Sequence, residues 1–366
     1  MGVPRSAKHL LIGSTEAYSG KSAAILGLAF QLQEMGIDIA YGKPLGSAPS
    51  GTQTNLDEDV KFIAQTLKLP PERIRPTLFC LDEATVEKQL ERENQIDYRQ
   101  VLDYYHPSQG GNLVLLEGPG TLEEGALFKL SLPQLADVID ASVVLTARYH
   151  SLLVVDGLLA AKQRLGDRLL GVLINDVVSD QISEVEASVK PYLERHGIPV
   201  LAILPRIALM RSVSVKELVN QLKAEVLCCQ DRLDLMVESL TIGAMNVNSA
   251  LKYFRKAKNM AVVTGGDRTD IQLAALETST QCLILTGHLP PSPEILNRAT
   301  DLEIPILSAD LDTLTTVEII DQTFGQVRLH EPIKVQCVRN LMNQHFDMNR
   351  LMAALELEPL VTAPKG

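Results

Sequence analysis

Three things are scarce in this chain: paired cysteines, surplus positive charge and long apolar runs. The five cysteines, Cys80, Cys228, Cys229, Cys282 and Cys337, are odd in number and show no C-x-x-C spacing. Neither a zinc site nor a disulfide framework is expected, and the usage fits a reducing cytoplasm. Lys and Arg total 34 against 45 Asp and Glu, a formal net charge of -11. That balance excludes the electrostatic footprint of a nucleic-acid or anionic-membrane binder, so any anionic ligand must be held by locally placed donors. No apolar stretch is long enough to span a bilayer. Low-complexity tracts and solenoid-like repeats are also missing.

At 366 residues and 46% hydrophobic content the chain is globular and long enough for two domains. The apolar run Leu10-Leu11-Ile12 leads into Gly13-Ser14-Thr15-Glu16-Ala17-Tyr18-Ser19-Gly20-Lys21-Ser22 and then an apolar-periodic helix. The run is short and carries no cleavage-site pattern, so it reads as a strand and not as a signal sequence. Strand, small-residue loop and helix together make a phosphate cradle. Backbone N–H groups and the positive helix end face the anion, the lysine reaches terminal phosphates and the hydroxyl serves a metal. The spacing is a variant, since the place six residues before Lys21 is Thr15 and the nearest earlier glycine is Gly13. The bland alternative is a Ser/Gly helix start.

Through residue 212 the chain alternates strand-like runs (Leu113–Leu116, Ser142–Leu145, Leu169–Ile174, Val200–Leu204) with helix-periodic stretches (Gly20–Met35, Ala84–Tyr105, Ser151–Arg164, Asp180–His196). This predicts an α/β domain over residues 1–212, a P-loop-type, mostly parallel sheet with helices on both faces and ligands beyond the carboxyl ends of its strands. A second, smaller α/β domain is expected over 213–327. Its helices are Val215–Leu222, Val247–Arg255, Asp270–Glu277 and Pro293–Ala299, and its extended runs are Glu225–Leu227, Met260–Val263, Cys282–Leu285 and Ile304–Leu307. Residues 328–366 read as a C-terminal extension with helices Val335–His345 and Met348–Leu355.

Four further places can carry chemistry. Lys43, in Tyr41-Gly42-Lys43-Pro44-Leu45-Gly46-Ser47, follows the second strand and can meet the same phosphate, or be a solvated loop lysine. Asp57-Glu58-Asp59 opens a helix, where acids complement the dipole and one carboxylate can complete a magnesium shell; Glu16 competes for that task. Glu117, in Glu117-Gly118-Pro119-Gly120, follows a buried strand, the position of a metal or water-positioning carboxylate or of a plain surface turn. Asn175 ends a later strand, where its amide can face a purine edge or simply terminate the strand. In the second domain Gly265-Gly266-Asp267-Arg268-Thr269 is again strand, glycine turn and helix start. It can bind an anion, cap its helix, or offer Arg268 to a carboxylate across a subunit interface.

Taken in order, the loop with Gly20-Lys21-Ser22, the Lys43-Pro44 pair, Asp57-Glu58-Asp59, Glu117-Gly118-Pro119-Gly120 and Asn175 resemble the dethiobiotin-synthetase-like phosphate-loop fold. More closely, they resemble the non-catalytic N-terminal domain of long bacterial phosphate acetyltransferases. Ile242-Gly243-Ala244-Met245, Ala250-Leu251-Lys252-Tyr253-Phe254 and Gly266-Asp267-Arg268-Thr269-Asp270-Ile271 resemble the DRTGG domain that follows in those enzymes, although here the paired glycines precede the Asp-Arg-Thr. The resemblance implies that Ser14, Thr15, Glu16, Ser19, Gly20, Lys21, Ser22, Lys43, Ser47 and Asn175 hold a nucleotide, ATP or ADP. It implies that Ser22, Asp59 and Glu117 serve magnesium, with Lys21, Lys43 and Glu117 as candidate catalytic groups. Ala17 and Tyr18 stand where dethiobiotin synthetases carry a threonine and an acid, and with the sequence ending at Gly366 no acetyltransferase domain is expected.

The expectation is therefore a cytoplasmic, nucleotide-binding regulatory or sensor protein without acetyltransferase activity. Homo-oligomerisation and a second small-molecule effector at the DRTGG-like domain are expected; nucleic acid and membrane are not. The alternatives are an ATP-dependent ligase or synthetase of the dethiobiotin or cobyrinate-amidation type, acting on a small carboxylate or amine, and a scaffold with a vestigial loop.

Overall fold

In a computed structural model the described residues are 8–46, 57–91, 105, 112–287, 289–325 and 329–358. The chain forms two compact units, one of Met1–Arg206 with Leu329–Gly366 and one of Ile207–Arg328.

Six strands build the first unit's sheet: β1 (Lys8–Ser14), β2 (Ile39–Gly42), β3 (Leu113–Glu117), β4 (Ser142–Arg148), β5 (Leu169–Val177) and β6 (Val200–Pro205). Their order is β2-β3-β1-β4-β5-β6, and every pairing is parallel. Parallel strands need crossovers that cover both faces, which is why these strands are near-continuous runs of Val, Ile and Leu. Leu10, Leu11, Ile12 and all of Leu113–Leu116 are fully buried. The order reverses at β1, so the loops after β1 and β3 open into one crevice at the carboxyl edge.

Helix α1 (Lys21–Glu34) follows β1, α2 (Glu58–Thr66) follows β2, and α3 (Glu83–Leu90) occupies the described part of the stretch expected as Ala84–Tyr105. The helical run Ile182–Arg195 widens into a π-turn at Val185–Val189, just ahead of Pro191. A proline inside a helix lacks its N–H and crowds the preceding turn, and the wider turn absorbs that defect.

The last two helices, Pro332–His345 and Met348–Ala354, form the expected C-terminal helical tail, and this tail packs with the first unit. The long helix lies along α1, where Gly27 is the close approach: an added Cβ would collide with Met342 Cγ and come within 3.3 Å of Val338. The Asp347 N–H donates to Leu201 O of β6 at 2.8 Å, and Arg339 pairs with Glu34 across the two helices.

The second unit has β7 (Glu225–Cys228), β8 (Ser239–Ile242), β9 (Met260–Gly265), β10 (Thr280–Thr286) and β11 (Ile306–Ser308), in the order β7-β11-β10-β9-β8. β7 runs antiparallel on one edge and the other pairings are parallel. Among the elements not anticipated are edge strand β8, which is only half-buried, the helix Thr313–Gly325 that closes the unit, and the antiparallel pair Val213–Ser214 with Met236–Val237.

No helix among the described residues is long and apolar enough to cross a membrane.

Candidate functional site

β1 is buried from His9 to Ser14 and delivers its loop at the carboxyl edge of the sheet. The loop turns at Gly20, whose φ of 99° lies in the left-handed region and whose missing Cβ would sit 2.5 Å from Asn175 Nδ2. Both conditions require glycine. α1 starts at the next residue, and no side chain caps its first turn. An uncapped helix start presents N–H donors and positive potential to an anion.

The side chains of this edge form a connected set. Lys21 Nζ donates to Ser14 Oγ at 3.0 Å, and Ser14 Oγ donates to Gly120 O at 2.8 Å. Ser22 Oγ donates to Glu117 Oε1 at 2.9 Å, while the other carboxylate oxygen accepts from Tyr41 OH at 3.0 Å. Lys43 Nζ lies 2.8 Å from Asp59 Oδ2 and 3.4 Å from Asp57. Asp57 in turn caps α2 by accepting from the Asp59 N–H at 2.9 Å. Strands β1, β2 and β3 are neighbours, so groups placed just past their carboxyl ends must meet.

The two lysines sit in opposite electrostatic conditions. Burial pushes Lys21 below its ordinary value, with Glu117, Glu124 and Asp59 only partly compensating. Burial acts against Lys43 too, but there the carboxylates of Glu117, Asp59 and Asp57 outweigh it and hold the ammonium above its ordinary value. Lys21 is thus the cation with unmet demand for negative charge, as a phosphate-binding lysine requires. Burial first, and then Glu117, push Tyr41 well above the phenolic range, so Tyr41 stays a neutral donor. The Ser19 hydroxyl is buried and has no hydrogen-bond partner. An orphaned donor inside the loop is what a bound phosphate oxygen would satisfy.

Further around the rim, Glu16 pairs with the exposed His150 at 2.9 Å. Arg148 donates to Tyr18 O at 2.9 Å, and Tyr18 itself has a φ of 55°. Asn175, expected to face a base, spends its amide nitrogen on the loop, donating to Ser19 O at 2.8 Å. The Thr15 N–H donates to Thr146 O at 3.4 Å. Ser47 lies outside the described residues.

Several participants carried no signal in the sequence. Tyr41 is an ordinary buried strand residue by pattern, Arg148 is the last residue of β4, and His150 merely follows it. Glu124 reaches back to the Gly120 N–H. His330 arrives from the C-terminal segment, 3.6 Å from Asp59 Oδ1, with its ring 4.7 Å from that of Phe62.

Hard oxygen donors at Ser22, Glu117 and Asp59 suit magnesium. Among the described residues no group of three or more His, Cys, Asp or Glu is arranged to hold a metal by itself. Magnesium that borrows phosphate oxygens and water needs only one or two carboxylates, so the donor set fits.

In the second unit Gly265 ends β9 and the helix Thr269–Leu276 follows after the turn Gly266-Asp267-Arg268. Arg268 is engaged within its own chain, 3.0 Å from Asp270 and donating to Met245 O at 2.9 Å. Neither Asp267 nor Thr269 caps the helix; Arg268 holds the N-cap position without a side-chain bond. Gly265 and Gly266 offer their carbonyls to Gln272 Nε2 at 2.9 and 3.1 Å. An added Cβ at Gly266 would collide with Leu289 O.

A phosphate loop between a buried parallel strand and a helix, with acids and lysines gathered at the switch point, defines a P-loop NTPase-like domain. Residues 8–214 match the family model described as AAA domain, more than half of the chain, and the chain belongs to that family. Residues 217–323 match the model described as DRTGG domain. The chain is 25% identical over 370 residues to the phosphate acetyltransferase of Synechocystis sp., covering 95% of this chain and 52% of that protein. It is equally 25% identical over 372 residues to the phosphate acetyltransferase of Nitratidesulfovibrio vulgaris, covering 95% and 51%. The chain therefore spans about half the length of these relatives, matching their N-terminal part. Among solved structures, the septum site-determining protein MinD from Pyrococcus horikoshii, complexed with Mg-ADP, overlaps 56% of this chain and 84% of its own. That overlap has 15% identity and a TM-score of 0.34.

Proposed function

We propose that the first unit binds ATP or ADP with magnesium and that the chain acts as a regulatory module. In this reading the DRTGG unit supports homo-oligomerisation and takes a second small-molecule effector at its Gly265–Thr269 turn. The observation that carries the nucleotide assignment is the convergence of Lys21, Ser22, Lys43, Asp59 and Glu117 around an uncapped helix start, with Lys21 short of compensating charge.

Each residue's task follows from where it lies. Lys21 and the N–H groups of the loop hold the terminal phosphates, and Lys43 approaches them from the end of β2. Ser22, Glu117 and Asp59 would hold magnesium, which would supply neutralisation of phosphate charge when bound. Tyr41 fixes the Glu117 carboxylate by donating to the oxygen that Ser22 does not use. Asn175 sets the shape of the loop from below, so its main effect is on phosphate binding, and its amide oxygen remains for other use. The two loop positions that differ from dethiobiotin synthetases support binding over turnover, because Ala17 and Tyr18 replace a threonine and an acid and supply neither the short threonine hydroxyl nor the carboxylate.

Calorimetric titration of the full chain with ATP and with ADP, each with magnesium, tests the reading. Binding that Lys21→Ala weakens about tenfold or more is expected, the loss of one charge-assisted contact. Folded protein that binds neither nucleotide would overturn it. Metabolite-stimulated phosphate release, abolished in Lys21→Ala, would instead place the chain among ATP-dependent ligases.

A further inference from the structure

Two adjacent acids follow the Glu117 turn and meet opposite fates. Glu123 points outward and pairs with Arg164 on the surface. Glu124 folds back, and one oxygen of its carboxylate accepts from the Gly120 N–H. The backbone dictates the difference. Thr121 Oγ1 accepts from the N–H groups of Glu123 at 3.3 Å and Glu124 at 3.1 Å, and buried Leu122 is tied to Leu132 N at 3.1 Å. Gly125, with a φ of 85° and packed against Leu45 and Leu130, then sends the chain away.

Gly120 is no neutral spot. Its carbonyl accepts from Ser14 Oγ, which itself accepts from Lys21 Nζ. A Cβ at Gly120 would meet the Glu124 carboxylate and lie 3.7 Å from Ala17 in the middle of the phosphate loop. Lys21 senses the same carboxylate. A backbone N–H at the turn after β3, beside the phosphate lysine, is a natural donor for a terminal phosphate oxygen, and here a carboxylate of this chain already holds it.

We infer that Glu124 is an intramolecular occupant of the phosphate site, which a ligand must displace, so that it selects for ligands with several phosphates over a monophosphate. The inference rests on the nucleotide reading above and extends it to specificity. Displacement needs only side-chain rotation, since the Thr121 and Gly125 turns hold the Glu124 backbone in place. A ligand too short to reach Gly120 gains nothing from the displacement.

The test is titration of the full chain with AMP, ADP and ATP in magnesium, comparing wild type with Glu124→Gln, Glu124→Asp and the neighbour control Glu123→Gln. Gln keeps the volume and removes the charge, while Asp keeps the charge and withdraws it by one methylene, so either variant serves if the other fails to fold. The expected result is about tenfold tighter ATP binding in both Glu124 variants, the size of one charge-assisted hydrogen bond regained. A smaller gain is expected for ADP, with AMP unchanged and Glu123→Gln like wild type. ATP affinity unchanged or weakened in the Glu124 variants, or an equal gain for AMP, overturns the inference and leaves the nucleotide reading standing. Failure of wild type and all variants to bind any nucleotide removes both.

Discussion

Replacing Gly20 by alanine loads two separate costs onto one atom. The residue has a φ of 99°, where an L side chain is strained by about 1–2 kcal/mol. Its Cβ would also stand 2.5 Å from Asn175 Nδ2, well inside contact, so the amide must swing away and give up its 2.8 Å bond to Ser19 O. That bond contributes about 1 kcal/mol, giving a total of about 2–3 kcal/mol. In an Asn175→Ala background the clash is gone and only the strain remains, so the two substitutions couple by about 1 kcal/mol in a double-mutant cycle. Two compact units need not unfold in one step, so the measurement should be local: hydrogen-exchange protection of peptides from β1 and α1 in the wild type, both single variants and the double variant. Gly20→Ala protected as well as wild type would refute the strain assignment. A penalty that Asn175→Ala leaves undiminished would refute the contact.

Tyr41→Phe keeps the fully buried ring but orphans one oxygen of the buried Glu117 carboxylate; it should destabilise the first unit by about 1.5–3 kcal/mol, read as earlier loss of exchange protection in β2 and β3. The raised pKa of Lys43 means the folded state binds its proton more tightly than the unfolded chain does. Its stabilising contribution is therefore complete below the ordinary value of 10.5 and disappears as pH rises through the higher folded value, so Lys43→Met should remove that part of the alkaline stability loss in pH-dependent melting. Lys21, shifted the other way, imposes a penalty at neutral pH that eases as pH climbs from its lowered value towards 10.5. Gly27→Val should drive Met342 off α1 and cost about 1–3 kcal/mol by overpacking, seen as selective loss of protection in Pro332–His345.

How much of the fold could be read in advance depended on whether burial shows in composition. β1, β3 and β4 are plain apolar runs because a parallel sheet buries both faces, and α1 follows directly from the loop chemistry. β8 escaped because it is half-buried at an edge, where Ser239-Leu240-Thr241-Ile242 lacks a continuous apolar signature. The helix Thr313–Gly325 opens with three threonines among its first four residues, a weak helix signal that Asp312 rescues by accepting from the Thr315 N–H and hydroxyl. The residues of the site came together because strand order alone brings Lys21, Lys43 and Glu117 to one edge. Partners chosen by side-chain reach were invisible: Tyr41 for Glu117, His150 for Glu16 and Ser19 for Asn175 are pairings across long stretches of chain. Spacing does not encode them, and Asn175 shows the result, a residue placed at the right edge with its amide nitrogen turned to the loop.

The return of residues 329–358 to the first unit has a consequence for the order in which the protein is made. The face of α1 at Gly27, which the Pro332–His345 helix covers, is synthesised early, while its cover is translated only after the whole of Ile207–Arg328. At usual ribosomal speeds that interval is roughly ten seconds. At its end the second unit has every segment it needs and the first does not. The nascent chain should therefore complete its later unit first, with the phosphate-loop helix waiting, one side bare, for the Pro332–His345 helix.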